Sequence, residues 1–363
     1  MFSSLKIRFN VTHFIRPHCY LPWCLFVFIL PAPPASAQIT DLVTGDAIPR
    51  DVREMYDRGL QYLVKSQTEN GNWNDSYGNA AGTGMAIMCF LASGEDPNFG
   101  IYAGNIRRAL RSMISEQNES TGFFGHSMYV HGFAMLGLAE CYGAVDDRNL
   151  WSGVTGKKGR SIGQALELAV RAAITSQKKN PLGAWRYSPD ASDADTSVAG
   201  AVLMGLLAAR NAGIEVPDES IDKAISYFTK MTAPSGQVAY SGGLGGFDES
   251  MARISIGTLV CAVSHRKDLQ AYQATLKYLT DRIESGGSSG HGGVEYQYYY
   301  QAQALFQGDI EAWTKWNKNL VRQLKIVQAE DGSFRGTYGQ HISTTLSLLA
   351  IAVNYRFLPI YER

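Results

Sequence analysis

The sequence predicts an all-α protein, an α6/α6 toroid in which six buried helices form an inner ring and six amphipathic helices surround it. Three observations lead there. One pattern recurs, an amphipathic stretch ending in Gln, then a turn with Gly and a large aromatic residue: "GLQYLVKSQTENGNW" (59–73), "ALRSMISEQNESTGFF" (109–124), "AVRAAITSQKKNPLGAW" (169–185) and "LVRQLKIVQAEDGSF" (320–334). With two degenerate copies (224–240 and 275–296), the spacing is roughly fifty residues, the length of a helix pair with its loops. The stretch following each turn is apolar nearly all round and rich in small residues, as a helix buried on every side must be. Finally, neither end of the array carries the polar capping repeat that an open solenoid needs, so the ring is expected to close.

In chain order, Lys6, Arg8 and Arg16 precede the apolar run "LPWCLFVFILPAPP", and Ala35 and Ala37 supply small residues at a cleavage position. This is the layout of a secretory signal over residues 1–37, cleaved after Ala37. Its apolar run is short for a bilayer span and is broken by prolines, so no stable membrane span is expected in the mature, exported (periplasmic or secreted) chain. Residues 38–51 lead into the toroid, which occupies 52–363. Its charged outer helices end at the marker residues Gln67, Gln117, Gln177 and Gln328. Gly71, Gly122, Gly183 and Gly332 then supply the left-handed residue that closes a helix. Trp73, Phe124, Trp185 and Phe334 provide bulk to pack between neighbouring units. The inner helices are expected within 82–94, 128–143, 196–213, 250–264, 295–307 and 342–355.

The 33 basic and 33 acidic residues balance, which argues against a nucleic-acid partner, normally met by a basic excess. Cys19 and Cys24 belong to the signal. Cys89, Cys141 and Cys261 each sit in an apolar helical pattern and read as buried free thiols. No Cys-x-x-Cys or Cys/His zinc spacing occurs, and nothing in the sequence calls for a metal or other cofactor.

The repeats resemble those of the prenyltransferase/squalene-oxidase repeat superfamily, which includes terpenoid cyclases and the β-subunits of protein prenyltransferases. The likeness is carried by "QTENGNW" and its looser versions "QNESTGFF", "QKKNPLGAW" and "QAEDGSF" over residues 55–356, and it implies the same α6/α6 toroid. The end of the chain is similar to exported bacterial members. Terpenoid cyclases use Asp-x-Asp-Asp-Thr, whose middle aspartate protonates an alkene; this chain has Asp193-Ala194-Asp195-Thr196, one carboxylate short. The zinc set of the prenyltransferases, which the resemblance would place at inner-helix starts, is missing its Cys and His.

Asp193 and Asp195 are therefore candidate general acids of a cyclase-like enzyme. The repeat register, however, sets Asp195 opposite Ser127 and Asp248, so that all three read as helix N-caps. Asp193 has no such explanation. Polar residues near the inner-helix starts, Tyr77, His126, His131, Asp248, Glu249, His291, Glu295 and His341, are expected to converge on one mouth of a central cavity. Tyr296, Tyr298, Tyr299 and Tyr300 offer it aromatic walls. The favoured reading is a binding protein for a small apolar molecule, peptide or glycan without the family's usual catalysis. The alternatives are the cyclase-like enzyme and a carbohydrate-active enzyme pairing Asp193 with Glu249 or Glu295.

Overall fold

A computed structural model of the chain describes residues 48–73, 79–154, 159–242, 249–284 and 293–361. The expected signal and most of the segment after it lie outside these residues. Twelve α-helices occur among the described residues. The outer set is α1 (Arg50–Ser66), α3 (Ala103–Glu116), α5 (Ile162–Lys179), α7 (Asp218–Lys230), α9 (Gln270–Glu284) and α11 (Ile310–Val327). The inner set alternates with it: α2 (Asn79–Leu91), α4 (Met128–Cys141), α6 (Thr196–Asn211), α8 (Met251–Val263), α10 (Val294–Gly308) and α12 (Gln340–Ala352).

The division follows hydrophobic patterning. Helix α1 buries Val52, Met55, Tyr56, Leu60 and Leu63, a stripe at the helical period. In α4 every residue from Val130 to Cys141 is buried. The inner helices pack in the closed order α2, α4, α6, α8, α10, α12 and back to α2. Small residues permit this tight ring: a Cβ on Gly137 would sit 2.7 Å from the Gly84 Cα, so α4 and α2 meet backbone to backbone. Cys89, Cys141 and Cys261 are free and buried. Among the described residues no helix is long and apolar enough to cross a membrane.

The marker glutamine turns out to be a staple between repeats. Gln117 Nε2 donates to Gly122 O in its own turn (2.9 Å) and to Ala165 O in the next outer helix (2.8 Å). Gln67 does the same with Gly71 O and Asn105 O, and Gln177 with Gly183 O and Ser220 O. Gln328 bonds Gly332 O and Met55 O, which joins the sixth unit to the first and closes the ring. Gly122 has φ +76°, and a Cβ there would lie 2.3 Å from Leu168 O, so both backbone strain and the neighbouring helix demand glycine. The turn tryptophans are fixed as well: Trp73 Nε1 donates to Leu63 O and Trp185 Nε1 to Ala173 O. The degenerate fourth unit keeps Gly236 at φ +93° but has Met231 at the end of its outer helix.

Three inner-helix N-termini, those of α4, α6 and α8, are capped in register by side chains, whereas α10 and α12 begin after Gly293 and Gly339. Ser127 Oγ accepts from Val130 N (3.3 Å), Asp195 Oδ1 from Val198 N (2.8 Å) and Ser250 Oγ from Arg253 N (3.4 Å). The fourth-unit cap is thus Ser250, two residues beyond the expected Asp248. The helix starts later than the small-residue register suggested, and the residue at the turn is the one whose oxygen reaches the free N–H.

Candidate functional site

The N-terminal ends of the six inner helices surround a cavity of about 660 Å³. Each contributes one to three residues from its first turns: Ala81 and Met85, Tyr129, Val130 and Phe133, Ser197, Ala252 and Arg253, Tyr296, Ile342 and Leu346. The loops before them add Ser127, Tyr187, Tyr240, Ser250 and Tyr338. Most lining residues on the helices follow the N-cap by two or three positions, where a side chain points inward over the mouth of the ring.

Aromatic side chains form the floor. Helices α4 and α10 lie on opposite sides of the inner ring, yet Tyr129 and Tyr296 ring centroids are 6.3 Å apart and those of Phe133 and Tyr299 6.0 Å. Tyr300 packs edge-on against Tyr296 (4.9 Å) and Tyr299 (4.8 Å). These rings meet near the axis and block it below the cavity. Burial pushes the Tyr129, Tyr296 and Tyr300 hydroxyls well above the usual phenol range, so they remain neutral hydrogen-bonding groups.

One wall is organised by cations. The Arg186 guanidinium lies 5.8 Å from the Tyr187 ring centroid and 5.4 Å from that of Tyr240; Arg253 lies 6.0 Å from Tyr240. Tyr187 and Tyr240 hydroxyls are 3.1 Å apart. The backbone laces this wall to the helix starts: Met128 N donates to Tyr187 O, and Thr196 N to Tyr240 O. Arg253 is buried and its Nε donates to Val238 O.

The sequence-singled residues are placed differently from the expected convergence. Asp195 is fully buried at the α6 N-terminus and does not line the cavity; its Oδ2 lies 3.4 Å from Arg186 Nε. Burial pushes its carboxyl up to about 6, against the opposing pull of the Val198 N–H and Arg186. Asp193, with its side chain 65% exposed, pairs with Arg186 Nη1 at 3.0 Å. Neither aspartate is directed into a dry pocket as an alkene-protonating acid must be.

His131 is a buried strut. Its Nδ1 accepts from Phe124 N (3.1 Å), which leaves the proton on Nε2 to be donated to Ala169 O (2.9 Å). Desolvation lowers it to about 4. His341 is buried and stacks on Trp73 with centroids 5.3 Å apart, and burial lowers it likewise to about 4. His126 is exposed in a left-handed bend, φ +73°. Glu249 is held by Arg282 and by the Tyr278 hydroxyl on α9. Glu295 accepts from Thr337 N and Ser343 Oγ, both at 2.8 Å, tying α10 to α12. Tyr298 faces α11, where its hydroxyl donates to Gln323. Tyr77, Asp248 and His291 lie outside the described residues. Polar residue type drew attention to groups that turn out to tie helices together. Of the lining tyrosines, Tyr296 was expected as an aromatic wall and does line the cavity; Tyr129 was readable only through its register after Ser127, and Tyr187, Tyr240 and Tyr338 come from the loops before the helices.

Among the described residues lining the cavity there is no carboxylate, and no group of three or more His, Cys, Asp or Glu is placed to hold a metal ion.

No family model and no curated protein matches the chain. Solved structures do match in fold. An inactive variant of an α-1,6-mannanase of Salegentibacter sp., in complex with α-1,6-mannotriose, aligns with a TM-score of 0.63 at 9% identity, covering 84% of this chain and 99% of that one. An unsaturated glucuronyl hydrolase specific for heparin gives 0.58 at 10% identity over 84% and 96%. An α-amylase from Clostridium perfringens gives 0.56 at 11% over 84% and 98%. At such identities the likeness is one of fold: the chain is an α/α toroid, and the similarity does not single out the prenyltransferase type within that architecture.

Proposed function

We propose that this is an exported glycan-binding toroid that seats saccharide units in the cavity at the inner-helix N-termini. The observation that carries the reading is the lining itself: five tyrosines and a phenylalanine set among three serines, one arginine and six smaller apolar residues. A pyranose ring has apolar C–H faces and a hydroxyl-bearing edge. Tyrosine meets both demands, offering a flat apolar ring and a hydroxyl tip. Ser127, Ser197 and Ser250 add small donor–acceptor groups near the helix starts, and the cavity volume lies in the range of small-ligand sites. Glycan-processing enzymes among the solved structures of the same architecture support the choice of ligand, and the signal-like N-terminus supports export.

The proposal is one of binding. Hydrolysis of a glycosidic bond takes two carboxyl groups flanking it, whereas Asp193 and Asp195 are both engaged by Arg186 and Glu249 and Glu295 are engaged elsewhere. The cyclase-like alternative gains no support from the comparisons or from the placement of the two aspartates. The test is titration calorimetry of the mature chain against a panel of manno-, malto- and uronate-containing oligosaccharides of two to four units. The reading expects one-to-one binding of at least one of them. Failure of every member to bind, with a lipid or peptide retained through native purification instead, would overturn it.

A further inference from the structure

Capping accounts for only half of Asp195. In the second and fourth units the same position is filled by Ser127 and Ser250, which cap without charge. The third unit instead buries a carboxylate, a costly choice unless the charge is matched. Its Oδ1 takes the Val198 N–H, while Oδ2, fully buried and without a hydrogen bond, lies beside Arg186 Nε at 3.4 Å. Beside it stands Arg186. It follows the turn aromatic Trp185 directly, as Arg335 follows Phe334 in the sixth unit, but in the third unit alone of the two it faces a buried carboxylate cap; the sixth-unit helix has Gly339 at that position. Asp193, exposed and unexplained by any cap, grips the same guanidinium. Three charged residues of one repeat therefore meet at one point, and that point sits against the aromatic rings of two cavity-lining residues.

We propose that Arg186, clamped by Asp193 and Asp195, is a positioning residue for ligand binding that holds Tyr187 and Tyr240 as one wall of the cavity mouth. The inference rests on the glycan-binding reading above for its functional meaning, but its geometry does not. The two tyrosines come from different repeats, Tyr187 on the loop before α6 and Tyr240 on the loop after α7. Backbone bonds fix their main chains, Tyr187 O to Met128 N and Tyr240 O to Thr196 N, yet leave their rings to be set by side-chain contacts. Tyr187 is 47% exposed, so its ring has room to turn outward without a partner. A planar guanidinium near both rings sets their orientation, while two carboxylates fix the guanidinium; a lysine ammonium would satisfy the charges without the planar face.

The arrangement makes the wall sensitive to acid. The charged and titratable groups facing Asp195 are Arg186, Asp193 and Tyr187 from its own loop region, Tyr227 from α7 and Tyr240 from the following loop. Burial pushes the Tyr187 and Tyr227 hydroxyls up, so these two stay neutral across the acid range. Asp195, raised to about 6, is the group that changes charge just below neutrality. Its protonation leaves Arg186 held by Asp193 alone.

The experiment is hydroxyl-radical footprinting of the mature chain from pH 4.5 to 8, read by mass spectrometry at Tyr187, Tyr240 and the reference Tyr129. It is paired with the affinity for the tightest-binding oligosaccharide of the panel above. In Arg186→Gln, labelling of Tyr187 and Tyr240 is expected to rise at least about threefold and affinity to fall about tenfold, with Tyr129 unchanged. Arg186→Lys, the milder variant, is expected to lie between. In the parent, labelling of the two tyrosines should rise as pH falls through about 6, and Asp195→Asn should abolish that rise. Unchanged labelling in both Arg186 variants overturns the positioning role even if oligosaccharides bind. Altered labelling with no panel member binding the parent overturns the glycan reading and leaves the positioning role intact. A labelling rise spread over Tyr129 as well shows a merely structural role and also overturns the proposal.

Discussion

Asp195 carries two obligations that a serine in the same register does not: it caps α6, and it faces Arg186 from a fully buried position. Because burial raises its carboxyl to about 6, the folded protein favours the neutral form more than the unfolded chain does. The associated stability is complete below pH 4 and is lost as pH rises through about 6. Asn keeps the capping oxygen and cannot ionise, so the stability of Asp195→Asn relative to the parent should improve between pH 4 and 7, by roughly 3 kcal/mol at 1.4 kcal/mol per pKa unit. Urea denaturation of both proteins at pH 5 and pH 8 samples the upper part of this range and should show about 1 kcal/mol of it; a difference independent of pH would contradict it. His131 and His341 behave in the opposite sense. Both lowered to about 4, they contribute stability that is complete above pH 6.5 and lost as pH falls through 4. In the Asp195→Asn background, where the opposing titration is gone, denaturation midpoints should therefore fall from pH 6.5 to 4. A flat profile would mean that neither imidazole is held neutral by its burial.

At the scale of the element, the repeat motif proves to be a device for joining helices. The glutamine amide spans two carbonyls, one in its own turn and one on the neighbouring outer helix, and the glycine lets that neighbour approach. Gly122→Ala should cost more than about 1 kcal/mol, since it meets both a left-handed φ and the Leu168 carbonyl. Gly125→Ala, with no atom within 4 Å of the new Cβ, is the control and should be nearly neutral. Thermal melts of the two variants decide it, and equal shifts would count against the account. Gln328→Ala should leave two carbonyls without their partner and cost roughly 1–3 kcal/mol. Its particular sign is faster amide exchange in α1 as well as α11, because this staple, with the Arg58 bond to Ala329 O beside it, bridges the last unit to the first. The helix pairs were legible in the sequence because amphipathic and wholly apolar stretches alternate at a fixed spacing, and the turns because Gln, Gly and an aromatic recur together. The glutamine's two carbonyl partners were not, since they depend on which helices become neighbours. Nor was the cap at Ser250, where three polar residues, Asp248, Glu249 and Ser250, precede the helix and only geometry chooses among them.

For the whole molecule, closure of the ring gathers six helix N-termini around one mouth, while aromatic side chains from α4 and α10 fill the axis beneath it. The location of the cavity followed from the repeat pattern and its aromatic wall at Tyr296 from the tyrosine run; the rest of its chemistry did not. Histidines and carboxylates drew attention in the sequence as chemically able groups, but His131, Glu249 and Glu295 serve to tie elements together. The cavity is walled instead by tyrosines such as Tyr129 and Tyr240, which in a sequence look like packing. The most direct test of the central claim fills this space. Ala252 lies in the first turn of α8 on the cavity wall, and Ala252→Trp places an indole where the saccharide is proposed to sit. Calorimetric titration with the panel oligosaccharide that binds the parent should show one site in the parent and at least about a hundredfold weaker binding in the variant, which is the loss of roughly 2.7 kcal/mol. Binding of undiminished affinity by a folded Ala252→Trp protein would contradict the account, because the ligand would then sit somewhere other than the central cavity.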